Sequence, residues 1–156
     1  MKKALVLTNG LYQTSDAKTA HGLVRGSERF LIAGIIDNTQ TANKDAGELL
    51  DSTHRNIPVF ADLAAALSTI KDADTLIIGV ATVGGKLPVE MLVIIKEAIS
   101  KGLSIVNGLH DYLNEHADLV ELALKNNSIL IDIRKPKKRE DLHFFTGDIF
   151  NIKTPI

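Results

Sequence analysis

The stretch Thr75–Gly108, TLIIGVATVGGKLPVEMLVIIKEAISKGLSIVNG, decides the fold. It opens with the apolar run Thr75–Val80, passes Gly84-Gly85 and Pro88 into a long amphipathic segment, halts at Lys101-Gly102 and resumes as the apolar run Ser104–Val106. Pro88 fits the first turn of a helix, where its missing N–H costs nothing, and Lys101-Gly102 is a helix stop signal. Strand, helix and strand in that order form a βαβ unit, whose two strands run parallel in one sheet.

The same alternation extends in both directions. Ala4–Leu7, Phe30–Ile36 and Ile57–Phe60 precede the unit and Ser128–Ile133 follows it, so about six strands are expected. "TLIIGVA" and "SILIDI" are apolar on both faces, as strands covered by helices on each side must be. Asp62 is the expected N-cap of the helix in "LAAALSTIK", and a further helix is expected over Glu115–Lys125, stopped by Asn126-Asn127. The polar, turn-rich segment Asn38–Asn56 is expected to be a loop over the strand ends, with at most a short helix at "DAGELL". The chain is thus predicted to be an α/β protein: a doubly wound, mainly parallel Rossmann-like sheet of order 3-2-1-4-5-6 with right-handed crossovers. Residues 1–135 make up that domain. Residues 136–156 are expected to be a linker, continuing the basic segment "RKPKKREDLH", and a small C-terminal β-hairpin around Thr146-Gly147-Asp148.

Composition removes several function classes. A net charge of −1 from 18 basic and 19 acidic residues implies no broad attraction to nucleic acid or to an anionic membrane. The chain has no cysteine, which excludes disulfides, thiolate metal sites and a cysteine nucleophile and fits a cytoplasmic protein. The apolar run after Met1-Lys2-Lys3 ends at Thr8, too soon for a signal peptide, and no run approaches the roughly 18–20 apolar residues of a membrane span. No histidine pair has H-x-x-x-H spacing, so no metal site is expected.

In a doubly wound sheet, ligands bind outside the carboxyl ends of the strands. The first of these ends, "TNGLYQTSDAKTAHG", has a turn at Asn9-Gly10 but lacks G-x-G-x-x-G, which puts ordinary dinucleotide binding in doubt. Ser15 or Asp16 is the expected cap of the next helix, on which Lys18, His21 and Arg25 fall on one side at i, i+3 and i+7. Lys18 and His21, with the Thr19 hydroxyl, are candidates for binding a phosphate or carboxylate; a solvated charged face explains the spacing as well. Asp37 ends the second strand where such folds hold a ribose hydroxyl, and a turn cap is the alternative. Gly84, Gly85 and Lys86 precede the helix at Pro88 and make a second candidate anion site. After the fifth strand, Asn107, Gly108, His110 and Asp111 bring an acid/base candidate to the same crevice.

The segments "AKTAHGLVRGSERF", "GIIDN", "KDAGELLD", "IPVFADLAAAL", "TLIIGVATVGGKLP", "GLSIVNGLHDYL" and "LIDIRKP" together resemble the N-terminal Rossmann-like domain of a largely uncharacterised bacterial and archaeal family of two-domain proteins. Members are described as NAD-dependent epimerase/dehydratase-like proteins or as D-glutamate N-acetyltransferases. The resemblance covers essentially the whole chain and is most specific in the A-K-T-A-H-G-L-x-R helix, the G-G-K-L-P loop and the N-G-L-H turn. It implies a following P-loop domain, of which "NIKTPI" lies about where the first strand would begin; the chain contains no G-x-x-x-x-G-K-[ST]. It also marks Lys18, Thr19, His21, Arg25, Gly84, Gly85, Lys86, His110 and Arg134 as site candidates.

The expectation drawn from residues and resemblance is a small-ligand-binding domain of a two-domain enzyme acting on an acidic metabolite, inactive alone. In it Lys18, Lys86 and two helix N-termini hold the anion and His21 or His110 handles a proton. An NAD-dependent oxidoreductase, with NAD or another adenosine nucleotide as cofactor and Asp37 on its ribose, is one alternative. An interaction domain that forms homo-oligomers through the apolar helix "VEMLVIIKEAI" is another.

Overall fold

The structure, a computed structural model, describes residues 1–136 and 139–141. Its strands are β1 Lys2–Leu7, β2 Phe30–Ile36, β3 Val59–Phe60, β4 Thr75–Ile78, β5 Ser104–Asn107 and β6 Leu130–Asp132. Its helices are α1 Lys18–Arg25, α2 Ala46–Asp51, α3 Leu63–Thr69, α4 Val89–Ser100 and α5 Ala117–Lys125. All six strands form one parallel sheet in the order β3-β2-β1-β4-β5-β6, the expected doubly wound arrangement. The expected C-terminal hairpin lies outside the described residues.

Local chemistry explains the element ends. The Asp62 side chain accepts from Ala65 N and caps α3, and Asp45 accepts from Gly47 N and Glu48 N and caps α2. Pro88 precedes α4, and Gly102 follows it at φ +83°, a conformation that favours glycine. The cap ahead of α1 differs from expectation. Thr14, rather than Ser15 or Asp16, accepts from Asp16 N and starts the 3-10 turn Ser15–Ala17, which leads directly into α1.

The central strands β1 and β4 are buried on both faces, and α4 covers the sheet with Met91, Ile95, Ala98 and Ile99 while Val89 and Val93 stay exposed. At the far edge, Ile131 in β6 and Ile129 and Ile133 on either side of it are exposed. Right-handed crossovers place α1 and α2 on one face and α4 and α5 on the other, and the helices of each pair touch.

The approach of α1 to the sheet is unusually close, and Gly79 is the reason. A Cβ on Gly79 would lie 2.4 Å from Val6 Cγ1 and 2.9 Å from Ala20 Cβ. With no side chain between them, Ala20 N donates to the Gly79 carbonyl at 2.9 Å and Ala81 N to the Asp16 carbonyl at 2.8 Å. These bonds lay the start of α1 across the end of β4, which brings Thr19 to the carboxyl end of the sheet.

Candidate functional site

The turn after β1 is closed by Asp37. Its Oδ1 accepts from Thr8 Oγ1 at 2.7 Å, Gly10 N at 2.8 Å and Tyr12 N at 3.0 Å, and its Oδ2 accepts from Thr41 Oγ1 at 2.6 Å. The residue is 6% exposed. A carboxylate accepts about four hydrogen bonds, so Asp37 is fully engaged as a turn cap. The Asn9-Gly10 turn, at φ +50° and +86°, exists to aim the Gly10 and Tyr12 amides at Asp37. Tyr12 then fills the space beneath the turn. Its hydroxyl donates to the Ala46 carbonyl at 2.7 Å, and burial pushes that phenol well above its ordinary value.

His21 belongs to this same support. Its Nε2 meets the Tyr12 carbonyl at 2.6 Å, and its ring stands edge-on to the Tyr12 ring at 5.4 Å. A carbonyl only accepts, so Nε2 carries the proton and donates it. Arg25 is one end of a helix away, where its Nε lies 3.9 Å from Asp51 Oδ2. Asp51 in turn takes the Arg55 guanidinium, which holds its carboxyl down to about 2. Lys18 is exposed and lines none of the hollows at the strand ends.

One hollow, lined by Leu11, Asp16, Lys86 and Pro88, lies between this turn and the loop before α4, and further open space lies one strand along. A cavity of about 190 Å3 at the ends of β4, β5 and β6 is lined by Thr19, Thr82, Gly85, Gly108, His110 and Arg134 over an apolar floor that includes Ile78 and Val80. A shallower hollow lined by Gly84, Lys86, His110 and Asp111 adjoins it through His110. Five of the expected site residues thus share one cavity, namely Thr19, Gly85, Gly108, His110 and Arg134. Gly84 and Lys86 stand at its neighbour, whereas Asn9, Gly10, Lys18, His21, Arg25 and Asp37 line neither. The cavity alone is below the roughly 300–1,000 Å3 of drug-sized ligand sites, and the adjoining hollow extends it past His110.

Two glycines and a carboxylate shape this space. Gly85, at φ +67°, lies against the His110 ring, and a Cβ there would come within 3.1 Å of His110 Cδ2. Gly108 has no atom within 4 Å of its would-be Cβ and leaves the cavity mouth open. Asp111 clasps the two glycine-bearing turns together. Its backbone N donates to the Gly85 carbonyl at 3.0 Å, and its Oδ2 accepts from Leu87 N at 3.0 Å. Its Oδ1 meets His116 Nε2 at 2.6 Å. The Leu87 N–H, and after it the His116 ring, hold the Asp111 carboxyl below its ordinary value. Thr82 closes the same loop on itself, its hydroxyl donating to the Lys86 carbonyl.

Behind the cavity, Asn107 is fully buried and donates to the Asp111 carbonyl and to Asp132 Oδ1, each at 2.8 Å. Burial pushes the Asp132 carboxyl up, but hydrogen bonds from Asn107 and Asn114 outweigh it and keep the group below its ordinary value. Asn107 and Asp111 therefore fix the turn that carries His110.

The chemistry on offer is anion binding with a nearby proton carrier. Arg134 presents its guanidinium to the cavity and donates from Nη1 to His110 Nε2 at 3.1 Å. A guanidinium only donates, so His110 Nε2 carries no proton. Lys86 adds a second cation on the other side of His110. Among the described residues no group of three or more His, Cys, Asp or Glu side chains forms a metal site, and no helix is long and apolar enough to cross a membrane. Tyr12, Gly79, Thr82 and His116 were not singled out in the sequence. A glycine in the apolar run of Thr75–Val80 was the one sequence signal for any of them, because glycine inside a strand marks close backbone approach.

Comparison with known proteins gives three findings. The family described as "Domain of unknown function (DUF1611_N) Rossmann-like domain" matches residues 39–136. Two curated proteins, both named D-glutamate N-acetyltransferase, align over 64 residues: one from a Pseudoalteromonas species at 48% identity and one from Tritonibacter scottomollicae at 38%. Each alignment takes in 41% of this chain and 19% of the relative, so the chain spans about a fifth of the length of the curated relatives it matches. The crystal structure of a DUF1611 family protein from Anabaena variabilis superposes with a TM-score of 0.76 at 30% identity, covering 88% of this chain and 38% of that one. An amine dehydrogenase from Mycobacterium smegmatis superposes with a TM-score of 0.59 at 18% identity over 81% of this chain and 37% of its own, a likeness of fold alone.

Proposed function

The chain belongs to the DUF1611_N family of Rossmann-like domains, and on that premise we propose that it is the small-ligand-binding domain of a larger two-domain enzyme acting on an acidic metabolite. The reaction we propose for the larger protein is that of its relatives named D-glutamate N-acetyltransferase. The domain is inactive alone in this reading, because the acyl-donor chemistry belongs to the rest of the enzyme.

The observation that carries the reading is the cavity at the ends of β4, β5 and β6, small, open and fronted by the Arg134 guanidinium. Arginine matches a carboxylate with two parallel N–H donors, and Thr19 lines the same cavity. His110 is the proton-handling group, and Lys86 supplies long-range attraction for an acidic ligand. The family match at residues 39–136 takes in the β4, β5 and β6 side of the cavity, with Thr19 outside it.

An NAD-dependent reaction finds less support. In a Rossmann fold the pyrophosphate lies on the turn after the first strand, and here the Gly10 and Tyr12 amides of that turn are bound to Asp37.

Calorimetry with D-glutamate, L-glutamate, acetyl-CoA, ATP and NAD, on this chain and on a full-length relative, tests the proposal. Binding of D-glutamate that Arg134→Met weakens at least tenfold and Lys18→Ala leaves within twofold is the expected result. No binding of any acidic ligand at millimolar concentration to either protein would reject it.

A further inference from the structure

The contact between Arg134 and His110 has a consequence for how the cavity responds to its ligand. The guanidinium occupies the Nε2 lone pair of His110 from 3.1 Å. We propose that Arg134 is a ligand-operated latch on His110: an anion entering the cavity takes the guanidinium for itself and frees His110 Nε2 to take up a proton. This inference rests on the ligand-binding reading above and specifies how that site is regulated.

The argument is one of competing partners. A neutral imidazole nitrogen is a weaker acceptor for guanidinium than a carboxylate or phosphate, which adds a full opposite charge and can take two parallel N–H donors. Arg134 and His110 are both exposed at the cavity mouth, so an anion can reach the guanidinium from solvent. Once Nε2 is released, the anion beside it favours the imidazolium, and the proton comes from solvent.

The charged groups that face His110 set the sign of the effect. Arg134 approaches from the chain after β6, and Lys86 approaches from the loop before α4; both oppose a positive charge on the ring. Asp111, on the same turn as His110, is tied to Leu87 N and His116, while Thr19 from α1 is neutral. An anion that neutralises Arg134 removes the nearest opposing charge. Ligand binding and protonation of His110 therefore reinforce each other, and the coupling is reciprocal.

Two readouts separate the latch from the choice of ligand. In the free protein at pH 8, histidine-ring 15N spectra are expected to show His110 with its proton on Nδ1, and Arg134→Met is expected to shift the ring toward the Nε2–H form. With ligand, calorimetry at pH 7 in buffers of different ionisation heat is expected to show net proton uptake that is lost in His110→Gln. Binding should also tighten by about fivefold or more between pH 8 and pH 6. D-glutamate and inorganic phosphate are the two probes. If D-glutamate does not bind but phosphate binds with proton uptake, the latch stands and the choice of metabolite falls. An Nε2–H ring in the free protein, a tautomer unmoved by Arg134→Met, binding without proton uptake, or failure of both anions to bind would overturn the latch.

Discussion

The turn after β1 and the turns after β4 and β5 lie on the same edge of the sheet and are rich in the same residue types, yet they do opposite things. After β1, the Gly10 and Tyr12 amides and the Thr8 and Thr41 hydroxyls all converge on the buried Asp37, so these four donors are turned inward. After β4 and β5, Asp111 ties the loops to each other from below and leaves the cavity above them lined by Arg134, His110 and Thr19. One carboxylate fills its crevice and the other frames one. A Rossmann-like sheet can therefore leave a cavity at one strand end and fill another by changing where its carboxylates accept hydrogen bonds.

The largest expected effect is on the filled side. Asp37→Ala strands the Gly10 and Tyr12 amides, while the Thr8 and Thr41 hydroxyls can turn to the Ile36 carbonyl and to Asn38; it should lower the unfolding free energy by about 3 kcal/mol or more, measured by urea titration, and a loss below about 1 kcal/mol would mean that water replaces the carboxylate. Gly79→Ala should cost about 1–3 kcal/mol, because its Cβ has to displace Val6 and Ala20. On the open side the effects reverse. Arg134→Met should leave stability within about 0.5 kcal/mol, as exposed substitutions do, while weakening anion binding tenfold.

The smallest effect is in the pH dependence of the clasp. The Asp111 carboxyl is held below its unfolded value of 3.8, so its contribution is present above that pH and is lost as pH falls through the lower folded value. Asp111→Asn should therefore lower stability slightly across the neutral region and flatten the acid limb, its curve converging with that of the parent protein as pH falls below about 4. An acid limb identical to that of the parent protein would show that the clasp does not depend on charge.

The sheet was legible in the sequence because its signals are local. Phe30–Ile36 is both the apolar run and the strand, and Pro88 and Lys101-Gly102 bracket α4 as their backbone chemistry requires. Even the short α2 coincides with "DAGELL", since Asp45 is a strong N-cap. The site was legible only in part. Helical spacing aligned Lys18, His21 and Arg25, but α1 runs back along the strands, and seven residues at about 1.5 Å each put Arg25 about 10 Å away from the strand ends. Spacing also cannot reveal that Tyr12 captures His21 or that Thr41 completes the shell of Asp37, because those partners are brought in by the fold. By contrast, Gly85, His110 and Arg134 follow three strands that pair in register, so their meeting is a direct result of the strand order.

The most direct test of the central claim is a backbone-amide NMR titration of this chain with D-glutamate. Binding at the open side predicts saturating shifts at Thr82, Gly85, Gly108 and His110, with Gly10, Tyr12 and Asp37 unmoved. Shifts concentrated at Gly10 and Tyr12 instead would return the binding site to the turn after β1 and contradict the account.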